Sequence, residues 1–194
     1  MARLEAFVAL LHRWQGSDNL VAGRDRARIW TRHVADSAEL VRLMPSTRRW
    51  LDMGSGAGFP GVVVAILSGA TVDLVESNRR KCAFLRQAIR DTGAPAVVHH
   101  GRAEDLLSGW QRPVDRISAR ALAPLTRLFA IGEPLMAAGT PAAFHKGREC
   151  AREIDEAAQF WDFDLVQHES RISGGGVILE VSRLRRRHPG QAGP

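Results

Sequence analysis

A glycine-rich turn between a strand-like run and a helix-like run is the feature that most constrains the fold of this chain. Residues 49–53 are β-prone, residues 54–61 read Gly-Ser-Gly-Ala-Gly-Phe-Pro-Gly, and the apolar run 62–67 follows. Glycines at alternate positions allow a sharp turn and a close approach of the backbone to a ligand, and the next helix directs its N-terminus into the same space. The pattern predicts a nucleotide-type ligand at the end of a β-strand.

Short β-prone runs alternate with helix-length amphipathic segments after residue 49. The predicted strands are 49–53, 72–76, 96–99, 114–118 and 142–145, and the predicted helices lie near 60–68, 78–92, 124–137 and 148–160. This alternation predicts an α/β fold with a mostly parallel sheet covered by helices. Two further strand-like runs, 163–168 and 177–183, flank Ser173-Gly174-Gly175-Gly176 and predict a C-terminal antiparallel hairpin at the sheet edge.

The first 45 residues are predicted to be helical. Leu4, Phe7, Val8, Leu11 and Trp14 recur at helical spacing, and a second apolar stripe of Trp30, Val34, Ser37, Val41 and Met44 opens near Asp25 and is closed by Pro45. The length suits one compact domain. We therefore predict a single domain over residues 1–184, in which the N-terminal helices of residues 1–45 pack on a ligand-binding core of residues 46–184, and a disordered basic tail over residues 185–194.

Acidic residues beside the glycine turn narrow the choice of ligand. The dinucleotide fingerprint requires glycine where this chain has Phe59, which argues against an NAD-dependent dehydrogenase. Asp52, just before the turn, would repel a pyrophosphate but attract an ammonium group, and S-adenosylmethionine (AdoMet) carries a cationic amine and a sulfonium. Glu76 ends the next strand at the spacing of a carboxylate that accepts hydrogen bonds from ribose hydroxyls. Together these residues indicate AdoMet.

The charge and cysteine content restrict the partners and the compartment. The net charge of +6 comes from 25 Arg and two Lys, an excess that indicates either an anionic partner such as nucleic acid or a compositional bias. Two cysteines, Cys82 and Cys150, exclude a disulfide framework and are typical of a reducing compartment. No apolar run reaches the length of a membrane helix. We expect a cytoplasmic monomer that binds neither a metal nor a membrane.

Several motifs occur in the order in which they occur in the RsmG (GidB) family of bacterial small-subunit ribosomal RNA methyltransferases, which this chain resembles over most of its length. The motifs are Asn19-Leu20, Ile29-Trp30-x-Arg32-His33-x-x-Asp36-Ser37, Asp52-x-Gly54-Ser55-Gly56-Ala57-Gly58-Phe59-Pro60-Gly61, Glu76-Ser77-x-x-x-Lys81-x-x-Phe84-Leu85-Arg86, Arg102-Ala103-Glu104, Ser118-Ala119-Arg120-Ala121 and Lys146-Gly147. The resemblance implies a class I AdoMet-dependent methyltransferase with a Rossmann-like sheet. It also implies methylation of guanine N7 at position 527, in the 530 loop of 16S rRNA.

The resemblance and the residue pattern together give a set of candidate site residues. The resemblance implies cofactor contacts at Gly54, Phe59, Ala103, Glu104 and Arg120, and the pattern itself adds Asp52, Gly56 and Glu76. The candidate catalytic residues are two cations at strand ends. Arg120 would bind the methionyl carboxylate or guanine O6, and Lys146 would meet an RNA phosphate or the target base. His33 and Asp36, three residues apart, would form a structural or a catalytic pair.

Guanine N7 presents a lone pair and no proton, so its methylation requires no general base and depends on positioning. Neither cysteine lies in a Pro-Cys loop suited to cytosine C5 methylation, and the Asp/Asn-Pro-Pro-aromatic loop of amino-group methyltransferases is absent from the sequence. The RNA substrate would meet basic clusters at Arg24, Arg26, Arg28 and Arg32, at Arg79, Arg80 and Lys81, and at 185–187. Two alternatives stay open: a methyltransferase for another RNA or a small molecule, and a non-catalytic AdoMet- or RNA-binding module.

Overall fold

A seven-stranded, mostly parallel sheet organises the chain. The structure, a computed structural model, describes residues 1–15, 20–22, 27–147, 149–172 and 176–187. The strands are β1 (Arg49–Met53), β2 (Thr71–Glu76), β3 (Ala96–His100), β4 (Arg116–Arg120), β5 (Ala142–Lys146), β6 (Trp161–Glu169) and β7 (Val177–Arg186). Their order across the sheet is β3-β2-β1-β4-β5-β7-β6, and β7 runs antiparallel to both of its neighbours. The predicted α/β class with an antiparallel hairpin at one edge is confirmed.

Helices cover both faces of the sheet. They are α1 (Ala2–Trp14), α2 (Ala35–Leu43), α3 (Gly61–Ser68), α4 (Arg79–Thr92), α5 (Ala103–Leu107), α6 (Leu125–Met136) and α7 (Cys150–Ala158), with a π-helical segment, Ile29–Val34, directly before α2. Side chains of a strand alternate between faces. Trp50 of β1 accordingly belongs to the core under α1 to α4, whereas Leu51 belongs to the core under α5 to α7. None of the helices in the described ranges is long and apolar enough to cross a membrane.

The π-helical segment changes which residues of the second helical region are buried. Ile29 and Val34 are buried, but Trp30 is 39% exposed, so the predicted inward position of Trp30 is wrong. The prediction assumed α-helical spacing, whereas the wider i to i+5 turn rotates the residues before α2 relative to those within it. The predicted helix start near Asp25 lies outside the described residues.

The bounds of two strands also differ from the prediction. Strand β4 covers Arg116–Arg120 and not the predicted 114–118, and Arg120 is its last residue. Strand β7 extends through Arg186, so the predicted tail begins too early. Arg186 pairs with Glu133 at 2.8 Å and lies over the ring of Trp161, and these tertiary contacts order a segment that has no local periodicity. Residues 188–194 and the hairpin residues 173–175 lie outside the described residues.

Candidate active site

The glycine turn after β1 lies at the carboxyl ends of the parallel strands, where ligands bind in open α/β sheets. Gly54 has a φ of +68°, a conformation that L side chains rarely adopt. A Cβ atom built on Gly54 would lie 2.6 Å from Cδ1 of Leu122, in the segment that follows β4. Glycine at this position therefore permits both the turn and the close approach of the β4–α6 segment.

Two cavities meet at Gly54 and Leu122. The first has a volume of about 320 Å³, and its other lining residues are Val75, Ser77, Gly101, Arg102, Ala103, Glu104, Ala123, Pro124, Arg127 and Ile131. The second has a volume of about 370 Å³, and its other lining residues are Leu20, Val21, Ala22, His33, Ser55, Gly56, Ala57, Phe59, Glu76, Lys81, Arg120 and Ala121. Seven of the eight predicted cofactor residues line one cavity or the other, and Asp52 does not.

Glu76, the last residue of β2, holds the glycine turn from the side. Its Oε2 accepts a hydrogen bond from the backbone N–H of Gly56 at 2.8 Å, and its Oε1 accepts one from the N–H of Asn78 at 2.7 Å. An ionised carboxylate has about four lone-pair sites, so both oxygens keep acceptor capacity. Glu76 is buried, yet it lines the second cavity. It can therefore accept hydrogen bonds from a bound ligand's hydroxyl groups.

Asp52 lies on the side of the glycine turn that faces α3, away from the two cavities. The residue is fully buried, and its Oδ1 accepts from the Ser118 hydroxyl at 2.7 Å while its Oδ2 accepts from the Gly61 N–H at 3.3 Å. Burial raises the pKa of this carboxyl to about 6, although the hydrogen bond from Ser118 opposes the shift. Alternation along β1 directs Asp52 to the face that carries α3. The structure thus gives Asp52 a contact with the N-terminus of α3 and none with the cavities.

The start of α5 forms one wall of the first cavity. Ala103 is buried there, and Oε1 of Glu104 accepts from Arg127 at 3.0 Å and from Arg102 at 3.3 Å. Hydrogen bonding from its own backbone N–H and then from Arg127 lowers the pKa of Glu104. The rest of the wall includes the apolar side chains of Val75 and Ile131, so this cavity combines an apolar surface with a polar edge.

Arg120 reaches the second cavity from the end of β4. Its side chain is 15% exposed, its Nη2 donates to the backbone oxygen of Arg32 at 2.6 Å, and the same nitrogen lies 3.5 Å from Oδ2 of Asp36. The ring of His33 lies 5.0 Å from the ring of Phe59 on the same cavity wall. The π-helical segment therefore carries both His33 and the carbonyl that holds Arg120.

Lys146 does not line either cavity. Its side chain is 8% exposed, and its Nζ contacts Oε2 of Glu153 at 2.5 Å and donates to the backbone oxygen of Ala123 at 3.0 Å. The same Glu153 oxygen accepts from the N–H of Leu125, the first residue of α6. Helix α7 places a partly buried anion, Glu153, against Lys146, and the local sequence does not reveal this contact. The predicted contact of Lys146 with RNA or the target base stays a prediction. Through its hydrogen bond to Ala123, Lys146 stabilises the segment that carries Leu122.

A model of the family described as rRNA small subunit methyltransferase G (GidB) matches residues 1–178. The chain belongs to this family. A protein of Chelativorans sp. named ribosomal RNA small subunit methyltransferase G is 49% identical over 94% of this chain and 89% of its own length. One of the same name from Bradyrhizobium diazoefficiens is 48% identical over 96% of this chain and 73% of its own length. An O-methyltransferase from Bacillus cereus in complex with SAH shares the fold with a TM-score of 0.62, at 15% identity, over 91% of this chain and 90% of that chain.

Several residues of this methyltransferase site carry no local sequence signal. Leu122 and Arg127 reach the cavities from the β4–α6 segment and from α6. The stretch 20–22 is held at the second cavity by Gln15, whose side chain donates to the carbonyl of Val21 at 2.6 Å and accepts from its N–H at 3.0 Å. Asn19, Arg24 and Arg26 lie outside the described residues. Within the described ranges, no cluster of His, Cys, Asp or Glu side chains is arranged to hold a metal ion.

The side chains present at the cavities fit AdoMet, the methyl donor of this family. The apolar wall of the first cavity suits a purine ring, and the remaining lone pairs of Glu76 suit ribose hydroxyls. The guanidinium of Arg120 suits a carboxylate. The passage between the cavities at Gly54 lacks a Cβ atom, and any side chain there would narrow it.

Proposed function

We propose that this protein transfers a methyl group from AdoMet to N7 of a guanine in 16S ribosomal RNA, at position 527 in the 530 loop. The observation that carries the proposal is the pair of cavities that meet at Gly54 and Leu122 in a chain of the rRNA small subunit methyltransferase G family. One cavity suits a nucleoside. The other is lined by Arg120 and Lys81 and suits a carboxylate together with part of an anionic nucleic acid.

The cofactor would lie across both cavities. Ala103 and Ile131 would contact the adenine ring, Glu76 would accept from the ribose hydroxyls, and Arg120 would bind the methionyl carboxylate. Asp52 would not contact the cofactor. It would fix the end of the glycine turn by accepting a hydrogen bond from Gly61, the first residue of α3. In this arrangement Gly54, Gly56 and Phe59 would contact the cofactor from the turn itself.

Bound AdoMet supplies an electrophilic methyl group whose bonding electrons pass to sulfur, which leaves as a neutral thioether. Guanine N7 forms the new N–C bond with its own lone pair, and no proton has to move. The residues around the second cavity therefore have to orient and desolvate the base, and such orientation can lower a barrier by roughly 7 to 11 kcal/mol in favourable cases. The rings of His33 and Phe59, whose planes are tilted by 31°, would provide an aromatic wall for a base at this place.

The RNA would approach over the start of α4 and the π-helical segment. Arg79 and Arg80 are exposed at the N-terminus of α4, Lys81 continues from them into the second cavity, and Arg28 and Trp30 are exposed on the π-helical side. Exposed arginines beside an aromatic ring suit single-stranded RNA, because they bind phosphates while the ring stacks on a base. A ribosomal substrate and the two free cysteines, Cys82 and Cys150, suit work in the cytoplasm.

The test is methyl transfer from labelled AdoMet to unmodified 16S rRNA and to unmodified small subunits, with the labelled nucleoside identified by mass spectrometry. We expect N7-methylguanosine at position 527 and no product when that guanine is replaced by adenine. The label in another nucleoside, in a small molecule only, or in none of these substrates would overturn the proposal.

Arg120→Ala tests the site within the same assay. We expect a loss in kcat/KM on the order of 100-fold, because a charged contact to the cofactor disappears. The matched control is Arg116→Ala on the same strand. The Arg116 side chain is also 15% exposed, but it pairs with Glu180 at 2.8 Å and lines neither cavity. Equal losses in the two variants would contradict a specific role for Arg120.

A further inference from the structure

The Arg120 guanidinium belongs to a polar cluster that joins α2 to β4, β5 and the β6–β7 hairpin. Oδ2 of Asp36 in α2 lies 3.5 Å from Nη2 of Arg120, and Oδ1 of Asp36 accepts from the hydroxyl of Ser170, just after β6, at 3.2 Å. The backbone oxygen of Asp36 contacts Nε2 of His145 in β5 at 3.0 Å. Asp36 therefore contacts side chains from β4, β5 and the hairpin at once.

The charged pair in this cluster consists of Arg120 and Asp36, because His145 is neutral. Burial lowers the pKa of His145 and outweighs the opposing charge of Asp36, while the charge of Arg120 acts with burial, so the ring is neutral at neutral pH. A backbone carbonyl can only accept, so Nε2 of His145 carries the hydrogen that it donates to Asp36. The guanidinium of Arg120 is then the cation that faces the Asp36 carboxylate within this cluster. A buried cation of this kind requires such a counter-charge to keep a single orientation.

The location of the cluster connects it to the ligand. Arg120 lines the second cavity, whereas Asp36 lines neither cavity. The guanidinium also donates to the carbonyl of Arg32, in the π-helical segment directly before α2. The carbonyl of Arg32 fixes the direction of one N–H of the guanidinium, and the carboxylate of Asp36 adds the charge that selects the rotamer of Arg120.

We propose that Asp36 is a positioning residue, which holds the Arg120 guanidinium at the wall of the second cavity so that it can bind the methionyl carboxylate of the cofactor. This inference rests on the function proposed above for Arg120. Asp36 itself touches neither the cofactor nor the reacting atoms. Its role predicts that removal of its charge weakens only those ligands that present a carboxylate to Arg120.

The test compares two ligands by calorimetry on the full chain: S-adenosylhomocysteine, which has the amino-acid carboxylate, and 5′-methylthioadenosine, which lacks it. We expect Asp36→Asn to weaken the first about tenfold and to leave the second within about twofold. Glu39→Gln is the matched control. Glu39 lies in the same helix, both residues are 8% exposed, and Glu39 pairs with Arg42 at 2.7 Å, outside the cavities. This control should bind both ligands as the wild type does.

A double variant separates positioning from general damage. In an Arg120→Ala background, Asp36→Asn should have no further effect on S-adenosylhomocysteine binding, because the residue through which it acts is gone. An unchanged affinity in Asp36→Asn, an equal weakening of both ligands, or independent effects in the double variant would each overturn the inference. Binding is measured without RNA, so failure of the proposed RNA reaction would appear separately, as wild-type ligand binding without methyl transfer.

Discussion

The buried carboxyl of Asp52 should make the stability of this protein depend on pH in a measurable way. The pKa of Asp52 rises from 3.8 to about 6 in the folded state, with burial as the largest cause. The folded state therefore binds this proton more tightly than the unfolded state does. The resulting stabilisation is fully present below about pH 4 and is lost as the pH rises through about 6.

The size of this effect follows from the shift in pKa. A shift from 3.8 to about 6 corresponds to on the order of 3 kcal/mol, at about 1.4 kcal/mol for each pH unit. Roughly 2 kcal/mol of this change falls between about pH 4.5 and about pH 7.5, by the two-state titration of one group. Asp52→Asn removes the titration and keeps the shape, because the amide can accept from Gly61 and donate to the oxygen of Ser118.

The assay is urea unfolding followed by tryptophan fluorescence, since Trp50 is buried in the same strand. The free energy of unfolding of Asp52→Asn, minus that of the wild type, should increase by about 2 kcal/mol from about pH 4.5 to about pH 7.5. Asp115→Asn is the control. Arg49 lowers the pKa of Asp115, so its titration lies below this range and its difference should stay flat. A flat difference for Asp52→Asn as well would show that the Asp52 carboxyl does not have a raised pKa in the folded protein.

Three other substitutions test separate contacts. Gly61→Ala should lower the free energy of unfolding by about 1 to 3 kcal/mol in thermal unfolding, because its Cβ would lie 2.7 Å from Oδ2 of Asp52. A Cβ atom at Gly109 would meet no atom within 4 Å, so Gly109→Ala should change the free energy of unfolding little. Lys146→Met should lower the free energy of unfolding by on the order of 1 to 3 kcal/mol, because the partly buried Glu153 would lose its cation. Unchanged stability with lost methylation would instead support a direct role at the RNA. Glu104→Ala should weaken AdoMet binding by about two- to fivefold in calorimetry, since it removes the polar edge of the first cavity. Its exposed neighbour Asp105 lines neither cavity, so equal weakening in Asp105→Ala would contradict a local role for Glu104.

Much of the fold and part of the site could be predicted because the signals are local. The apolar alternation of the strands, the glycine turn and the position of Glu76 at the end of β2 each depend on residues close together in the chain. Parallel strands bring their carboxyl ends to one edge, so Gly54, Glu76, Glu104 and Arg120 were expected at a common site, and the structure brings them to two adjoining cavities.

The errors arose where a distant element decided the environment. Asp52 was expected to face a ligand, but α3 covers the face of β1 to which its side chain points. Lys146 was expected to meet RNA or the target base, but α7 places Glu153 against its Nζ. Trp30 was expected to be buried, but the π-helical segment turns it outward.

The sequence alone determined the α/β class, the methyltransferase family and the position of the cofactor turn, because short-range patterning and residue spacing encode all three. Which charges face the ligand and which face each other depends instead on how distant elements pack together. Arg120 and Arg32 are 88 positions apart in the chain and form a hydrogen bond of 2.6 Å, and Asp36 joins them from a helix whose own sequence does not reveal its partner. The physical reason is that a buried charge must be neutralised wherever the packing of the elements leaves it, and packing brings together residues that are remote in the chain.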